Sequence, residues 1–397
     1  MKIRLLSPLL LMIVSLNLNM LVVGSVFAET VKLGFSAPLT GPQAIYGKDM
    51  QRGITMAIEE FNSKKQEING KEITFVLLSE DDEADARKGT QIAERLVDKN
   101  IKAMFGNLNS SVAIAASRIY YQACIPQSTT ATAPEYTRQK FDSARQQCDA
   151  NGKNTKNNTT FRMLPSDIQQ GAVMGRFAAD KMQFKKIAII DDRTAYGQGL
   201  ADEFEKAAKA AGAEIVQHEF SSDKAVDFKP ILTSLKRTKP QAIYYAGNAV
   251  QAAPLAKQMR ELGIKAALMG GEMVKMDSFL KVAGSSAEGV IVSLGGRPLE
   301  RMPKGEAFNQ LHKKRFGIDV DVYAPYAYDG AKAVFTAMKQ ADSTEPRDYL
   351  KFLAKIEMPA VTRDQLAYDE HGDLRNGDIT IYKVVNGQWQ VLDTLEN

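Results

Sequence analysis

Glu272 follows Met269-Gly270-Gly271 at the end of an apolar run, an expensive place for a carboxylate unless it is solvated or paired. A ligand ammonium and an internal Lys or Arg are both open as its partner. Upstream, Gly106-Asn107-Leu108-Asn109-Ser110-Ser111 leads from a short strand into a helix, with Ser110 placed as the cap. The N–H groups of that first turn, with the hydroxyl, would make a seat for a carboxylate; the alternative is an ordinary cap with nothing bound. Ser128-Thr129-Thr130-Ala131-Thr132 then sets four hydroxyls in five positions, either as hydrogen-bond donors or as a hydroxyl-rich turn. Hydroxyls and amides for a carboxylate, with an acid for an ammonium, suit the capture of a zwitterion through charge-assisted bonds.

Other chemistries lack their residues. There is no Gly-x-Ser-x-Gly elbow, no phosphate-binding loop and no dinucleotide fingerprint, so neither an enzyme nor a cofactor is expected. Asp191-Asp192 is an acid pair by adjacency, but neighbours on a strand end point to opposite faces. Two cysteines and the scattered His218, His312 and His371 offer no metal spacing. In an oxidising compartment Cys124 and Cys148 would close a polar loop as a disulfide; the other reading is two free thiols, one of them buried in a strand.

The segments that must position these residues begin with a leader. Lys2 and Arg4 precede an apolar run from Leu5 to Val26, and Val26-Phe27-Ala28 fits cleavage after Ala28, although a run of this length could also anchor the chain. No later run is long enough to span a bilayer, and no cysteine near residue 28 can carry a lipid, so an exported, unanchored, soluble protein is expected. Removal of residues 1–28 leaves 49 basic against 47 acidic residues, a balance that argues against a nucleic-acid partner.

From residue 31 strands alternate with helical patterns. Val31–Phe35, Ile73–Leu78 and Ala103–Phe105 read as strands, with Met50, Ile54, Ala57, Ile58 and Phe61 on one helix face and Ile92, Ala93, Leu96 and Val97 on another. Such alternation predicts right-handed crossovers and a doubly wound parallel sheet. A further strand is expected around Cys124–Pro126. Between about Tyr136 and Thr160 the periodicity stops, which reads as a surface excursion. The alternation restarts near residue 165 with strands at Ile187–Ile190 and Ala242–Tyr245 and helices near Leu200–Ala211 and Ala249–Leu262. A helix over Tyr326–Met338 comes next, and Asp378–Val385 and Gln388–Leu392 flank Asn386-Gly387, a hairpin signal. The length calls for two lobes.

In this order and at these strand ends, several strings together resemble one family. They are Thr40-Gly41-Pro42 with Tyr46-Gly47, Gly106 to Ser111, Thr132-Ala133-Pro134-Glu135, Asp192 with Tyr196-Gly197-Gln198-Gly199, Gly270-Gly271-Glu272, and Tyr368-Asp369 with Gly372-Asp373. Nearly the whole mature chain resembles the branched-chain amino-acid binding proteins of bacterial periplasmic uptake systems. The resemblance implies an α/β fold of two doubly wound, Rossmann-like lobes joined by three crossovers, the type I periplasmic binding protein fold. Lobe 1 would comprise 29–163 and 296–364, lobe 2 164–295 and 365–397, with hinges near Leu164, Leu294 and Leu366.

The same resemblance implies that Ser110 and Thr132 hold a ligand carboxylate, that Leu108 and Thr130 contribute backbone oxygens or wall contacts near the α-carbon, that Ala131 belongs to the same binding loop, and that Glu272 accepts from the ammonium. Tyr46 and Tyr196 would close over the ligand from opposite lobes. Asn109 and Asn248, the latter in Gly247-Asn248 where leucine binders of the family offer a tyrosine, would make the side-chain pocket more polar. The expected function is extracytoplasmic capture of an amino acid, branched-chain or related, by a periplasmic monomer that delivers it to the membrane permease of an ABC transporter. A sensor or regulatory subunit for an amino acid or amide is the alternative. The insertion at about 138–158 is longer than usual for the family.

Overall fold

The computed structural model describes residues 28–139, 148, 159–375 and 377–395. Apart from Ala28, the expected leader falls outside them, as does most of the 138–158 insertion. Among the described residues no helix is long and apolar enough to cross a membrane.

The first half is built on β1 (Glu29–Ala37), β2 (Glu67–Ile68), β3 (Lys71–Asp81), β4 (Met104–Gly106), β5 (Gln127–Thr129) and β6 (Thr160–Arg162), in the sheet order β2-β3-β1-β4-β5-β6. All neighbours run parallel except β2 with β3. The second half carries β7 (Lys186–Asp191), β8 (Glu214–Phe220), β9 (Ala242–Ala246), β10 (Ala267–Gly270) and β11 (Ile291–Gly295). The short pair β12 (Glu357–Met358) and β13 (Leu366–Ala367) stands apart, and β14 (Ile379–Val385) and β15 (Gln388–Leu395) complete the second sheet, ordered β15-β14-β11-β10-β9-β7-β8. Here β7 to β11 are parallel, and β14 and β15 add an antiparallel edge.

The strands are buried as their sequences require. Every residue of β9 and β11 is buried, and so is β7 after Lys186, the mark of parallel strands covered on both faces. The chain leaves the first half after β6, returns after β11, and crosses again ahead of β14, so the α/β fold is two doubly wound lobes joined by three crossovers. After the second crossing the helices Gly305–Phe316, Ala324–Ala341 and Pro346–Leu353 pack on the first lobe. Phe335 stacks on Phe75 with centroids 4.4 Å apart and meets Phe61 at 5.4 Å, so β3 and two helices share one aromatic core.

Three sequence expectations change. The strand expected around Cys124–Pro126 lies at Gln127–Thr129 instead, because the preceding helix Ser110–Gln122 ends in a left-handed turn. Cys124 has φ +60°, its N–H donates to Tyr121 O at 2.9 Å, and Ile125 N–H donates to Tyr120 O at 2.9 Å. That is the Schellman pattern, with a cysteine where glycine is usual. The excursion begins later than Tyr136, which lies in the short helix Pro134–Arg138, is fully buried, and donates its hydroxyl to Gln127 O at 3.0 Å. Ser110 is the first helical residue rather than the cap; Asn109 holds the cap position and its side chain caps nothing. Cys124 and Cys148 are joined by a disulfide.

Candidate functional site

Where the carboxyl ends of the two sheets face each other the molecule encloses a cavity of about 710 Å³, the place at which open α/β sheets receive ligands. Of the residues singled out from sequence, Leu108, Asn109, Ser110, Thr130, Thr132, Tyr196, Asn248 and Glu272 line it. Ala131 and Tyr46 are not in the wall. Ala131 is buried behind it and accepts from the Arg162 guanidinium, while Tyr46 is buried and donates its hydroxyl to Met273 O, 2.9 Å away in the other lobe.

The lobe 1 wall is positioned by two strand ends. Beyond β4, Asn107 is held by Ser36 at 3.0 Å and by the Asp82 carboxylate at 2.9 Å. This fixes the approach to the Ser110 helix, whose first-turn amides have no partners within the helix. Val112 and Ala113 turn back to Asn109 O, so the Ser110 and Ser111 amides begin the helix. The Ser110 hydroxyl accepts from Ala133 N–H at 3.2 Å, tying the two loops together. Behind β5 the fully buried Arg162 reaches Asp373 at 2.7 Å, Ala133 O at 3.0 Å and Thr137 at 3.0 Å. Burial would raise the Asp373 carboxyl, but Arg162 and Arg138 hold it below its ordinary value.

On the lobe 2 side, Tyr196 opens the helix Ala195–Ala210, capped by Thr194, whose hydroxyl accepts from Gly197 N–H at 3.0 Å. Gly271 is required beside it: a Cβ there would stand 2.5 Å from the Tyr196 hydroxyl oxygen. The next residue, Glu272, is buried and receives the Thr132 hydroxyl at 3.3 Å and the Tyr196 hydroxyl at 3.3 Å. Among the described residues no cation is paired with it. Burial pushes its carboxyl up to about 7, with the Thr132 and Tyr196 hydroxyls among the groups that oppose the rise. The internal Lys or Arg partner left open by the sequence is thus absent from the described residues.

Sequence reasoning missed Asp167. This residue starts the helix Asp167–Arg176 and is fully buried beside Glu272 but outside the cavity lining, and among the described residues neither carboxylate oxygen has a donor in hydrogen-bond geometry. Burial first, and the neighbouring Glu272 second, hold its carboxyl well above the ordinary range, as two acids sharing a dry site must. Tyr323 does line the cavity. It is fixed by Asp49, whose carboxylate accepts the N–H groups of Val322 at 3.0 Å, Tyr323 at 2.6 Å and Ala324 at 3.0 Å. Gln43, Gln251, Asp223 and Lys224 are among the further wall residues not singled out beforehand. Gln251 sits one turn beyond Asn248 and was reachable by the same search past strand ends; Asp223 and Lys224 come after β8, a strand whose half-buried sequence gives little apolar signal.

The cleft is closed by bonds between lobes. Besides Tyr46 to Met273 and Thr132 to Glu272, Ala195 N–H donates to the Ser111 hydroxyl at 3.2 Å. Among the described residues no group of three or more His, Cys, Asp or Glu is placed to hold a metal ion. Hydroxyls and helix-start amides can receive a carboxylate, and a buried carboxylate with no cation paired to it among the described residues can receive an ammonium.

Known proteins share this plan. A family described as "Periplasmic binding protein" matches residues 30–388. The Leu/Ile/Val-binding protein homolog 1 of Brucella abortus is 31% identical and covers 92% of each chain. A leucine-binding protein from Thermotoga maritima superposes with a TM-score of 0.80 at 23% identity, over 92% of this chain and 98% of that one. A solute-binding protein of an ABC transporter from Rhodopseudomonas palustris, in complex with 3,4-dihydroxybenzoic acid, gives a TM-score of 0.76 at 26% identity, over 92% and 97% of the two chains.

Proposed function

The chain belongs to the periplasmic binding protein family, and from that premise we propose that it captures a free amino acid in the cleft between its lobes and presents it to the membrane permease of an ABC transporter. It is a solute-binding protein and not an enzyme. The observation that carries the amino-acid reading is Glu272: a buried carboxylate on the cavity wall, hydrogen-bonded to Thr132 and Tyr196 and lacking a cation among the described residues. A ligand ammonium supplies the missing charge, and the helix start at Ser110 receives the ligand carboxylate. The Brucella relative's name points to the same ligand class.

Capture follows from geometry. Ligand first meets the Ser110 and Thr132 side in lobe 1, and closure brings Tyr196 and Glu272 over it from lobe 2. Contacts that exist only in the closed form shift the population toward that form. The closed surface is then read by a permease. The protein acts outside the cytoplasmic membrane, as a monomer freed of its leader. A sensor using the same cleft is distinguished by its partner, a signalling protein in place of a permease.

The dihydroxybenzoic acid bound by the Rhodopseudomonas protein raises an aromatic acid as a second ligand class. Such a ligand has a carboxylate but no ammonium, and would leave Glu272 unpaired. Calorimetry with the twenty amino acids and with benzoates separates the two. We expect an amino acid to bind and Glu272→Ala to weaken it at least tenfold; benzoate binding with no amino-acid binding would reject this reading.

A further inference from the structure

The cavity wall beyond Glu272 is polar in a particular way. Asp192, Asn248 and Gln251 come from lobe 2, each at most 6% exposed, and Asn109 and Gln43 face them from lobe 1. Asp192 receives the Thr194 N–H at 3.0 Å and its hydroxyl at 2.6 Å, both on one carboxylate oxygen. Asn248 accepts from Val250 N–H at 3.0 Å. Gln251 Oε1 and Asn109 Oδ1 are buried and receive no donor among the described residues, while Asn109 Nδ2 donates to Gln43 Oε1 at 2.8 Å. Turned end for end, either amide would present an unmet NH2 group in place of the oxygen, so the acceptor that does not depend on amide orientation is the Asp192 carboxylate.

Charge points the same way. Among the described residues the cavity is lined by five carboxylates, those of Glu83, Asp85, Asp192, Asp223 and Glu272, against one ammonium, that of Lys224. One carboxylate serves the ligand's α-ammonium in the function proposed above; of the others, Glu83, Asp85 and Asp223 are on the exposed rim, where Glu83 pairs with Lys88 at 2.5 Å and Asp85 caps a helix, so the buried acceptor left over is Asp192. A leucine, isoleucine or valine side chain would bury these acceptors without satisfying them, at a cost in affinity. An acidic side chain would meet like charge.

Resting on the amino-acid reading, we infer that the captured amino acid has a side chain ending in N–H donors: a carboxamide, a guanidinium or an ammonium. Gln251, Asn109 and Asp192 are its specificity-determining partners. Discrimination should be strong, because a site with buried polar groups rejects a ligand that leaves them unpaired far more than an apolar site rejects an extra methylene.

The test is titration calorimetry of the mature protein, stripped of bound ligand by unfolding and refolding, with glutamine, asparagine, arginine, lysine, leucine, isoleucine, valine and glutamate. At least one donor-bearing amino acid should bind tenfold or more tighter than leucine, with glutamate weakest; the amide and cationic arms tell a carboxamide from a charged group. In the double variant Asn109→Leu, Gln251→Leu that preference should fall at least tenfold while leucine affinity holds or rises, a change of ratio that mere loss of fold cannot give. Leucine, isoleucine or valine binding as tightly as every donor-bearing ligand would overturn this inference and leave amino-acid capture standing. No binding by any amino acid in the full panel of twenty would overturn both.

Discussion

Burial holds the Glu272 carboxyl up to about 7, so its charge changes within a modest pH range and the consequences have opposite signs for the empty and the loaded protein. For a carboxyl raised above its unfolded value, the contribution to stability is full below about 4.5 and is lost as pH rises through about 7. Asp167, raised for the same reason and facing Glu272, acts in the same direction. The empty protein should therefore lose stability as pH rises from 4.5 to 7. An amino-acid ammonium needs the ionised form, so affinity should rise with pH, by about tenfold per unit below the Glu272 value if one proton is displaced, and level off above it. Calorimetry across that range, in buffers of differing ionisation enthalpy to count the proton released, checks both the slope and the stoichiometry. A flat profile would mean that Glu272 is not in contact with the ligand.

The elements that carry these side chains depend on a few buried anchors, of which Asp49 is the most open to test. Its carboxylate, in the middle of the helix Ala44–Ser63, gathers the amides that begin the helix Ala324–Ala341 and so sets Tyr323 in the cavity wall. It works as an N-cap supplied from another helix. Asp49→Ala should cost about 2 kcal/mol, the upper range for a capping residue, read by urea unfolding, and should weaken ligand binding through the displaced Tyr323. A loss below a few tenths of a kcal/mol would show that solvent satisfies these amides as well. Anchors of this kind explain why only part of the site is legible in the sequence. Strands such as β7 and β9 are continuous apolar runs and stand out, and Ser110, Thr132, Tyr196 and Glu272 are reached by looking just past the carboxyl end of each strand. Asp49 and Arg162 escape that search, because they lie inside a helix and a strand and their partners are distant in the chain. The displaced strand at Cys124 has a different cause, a left-handed helix end without the usual glycine. Tyr46 reads as a ligand contact in the family pattern, whereas its hydroxyl is spent on the opposite lobe.

At the scale of the whole molecule, that hydroxyl is one of several described bonds between the lobes, with Thr132 to Glu272, Ala195 to Ser111 and Arg162 to Asp373 among the others. Of these only the Thr132 bond involves Glu272, so closure has a component that belongs to the protein alone. Ligand affinity includes the fraction of molecules already able to close, and anything that lowers that fraction lowers the apparent affinity in proportion. Tyr46→Phe removes the bond to Met273 O while keeping the ring and its edge contact with Tyr323, 6.0 Å between centroids. A net hydrogen bond of about 1 kcal/mol corresponds to roughly a fivefold loss of affinity. The loss should appear for every amino acid that binds, with the ligand ranking unchanged, since the hydroxyl lies outside the cavity wall. Small-angle scattering should show the ligand-free variant more expanded than the ligand-free wild type, and the two equal once saturated. A variant that instead changed ligand preference would place Tyr46 in the pocket, and one with undiminished affinity would leave closure to Thr132, Glu272 and the ligand.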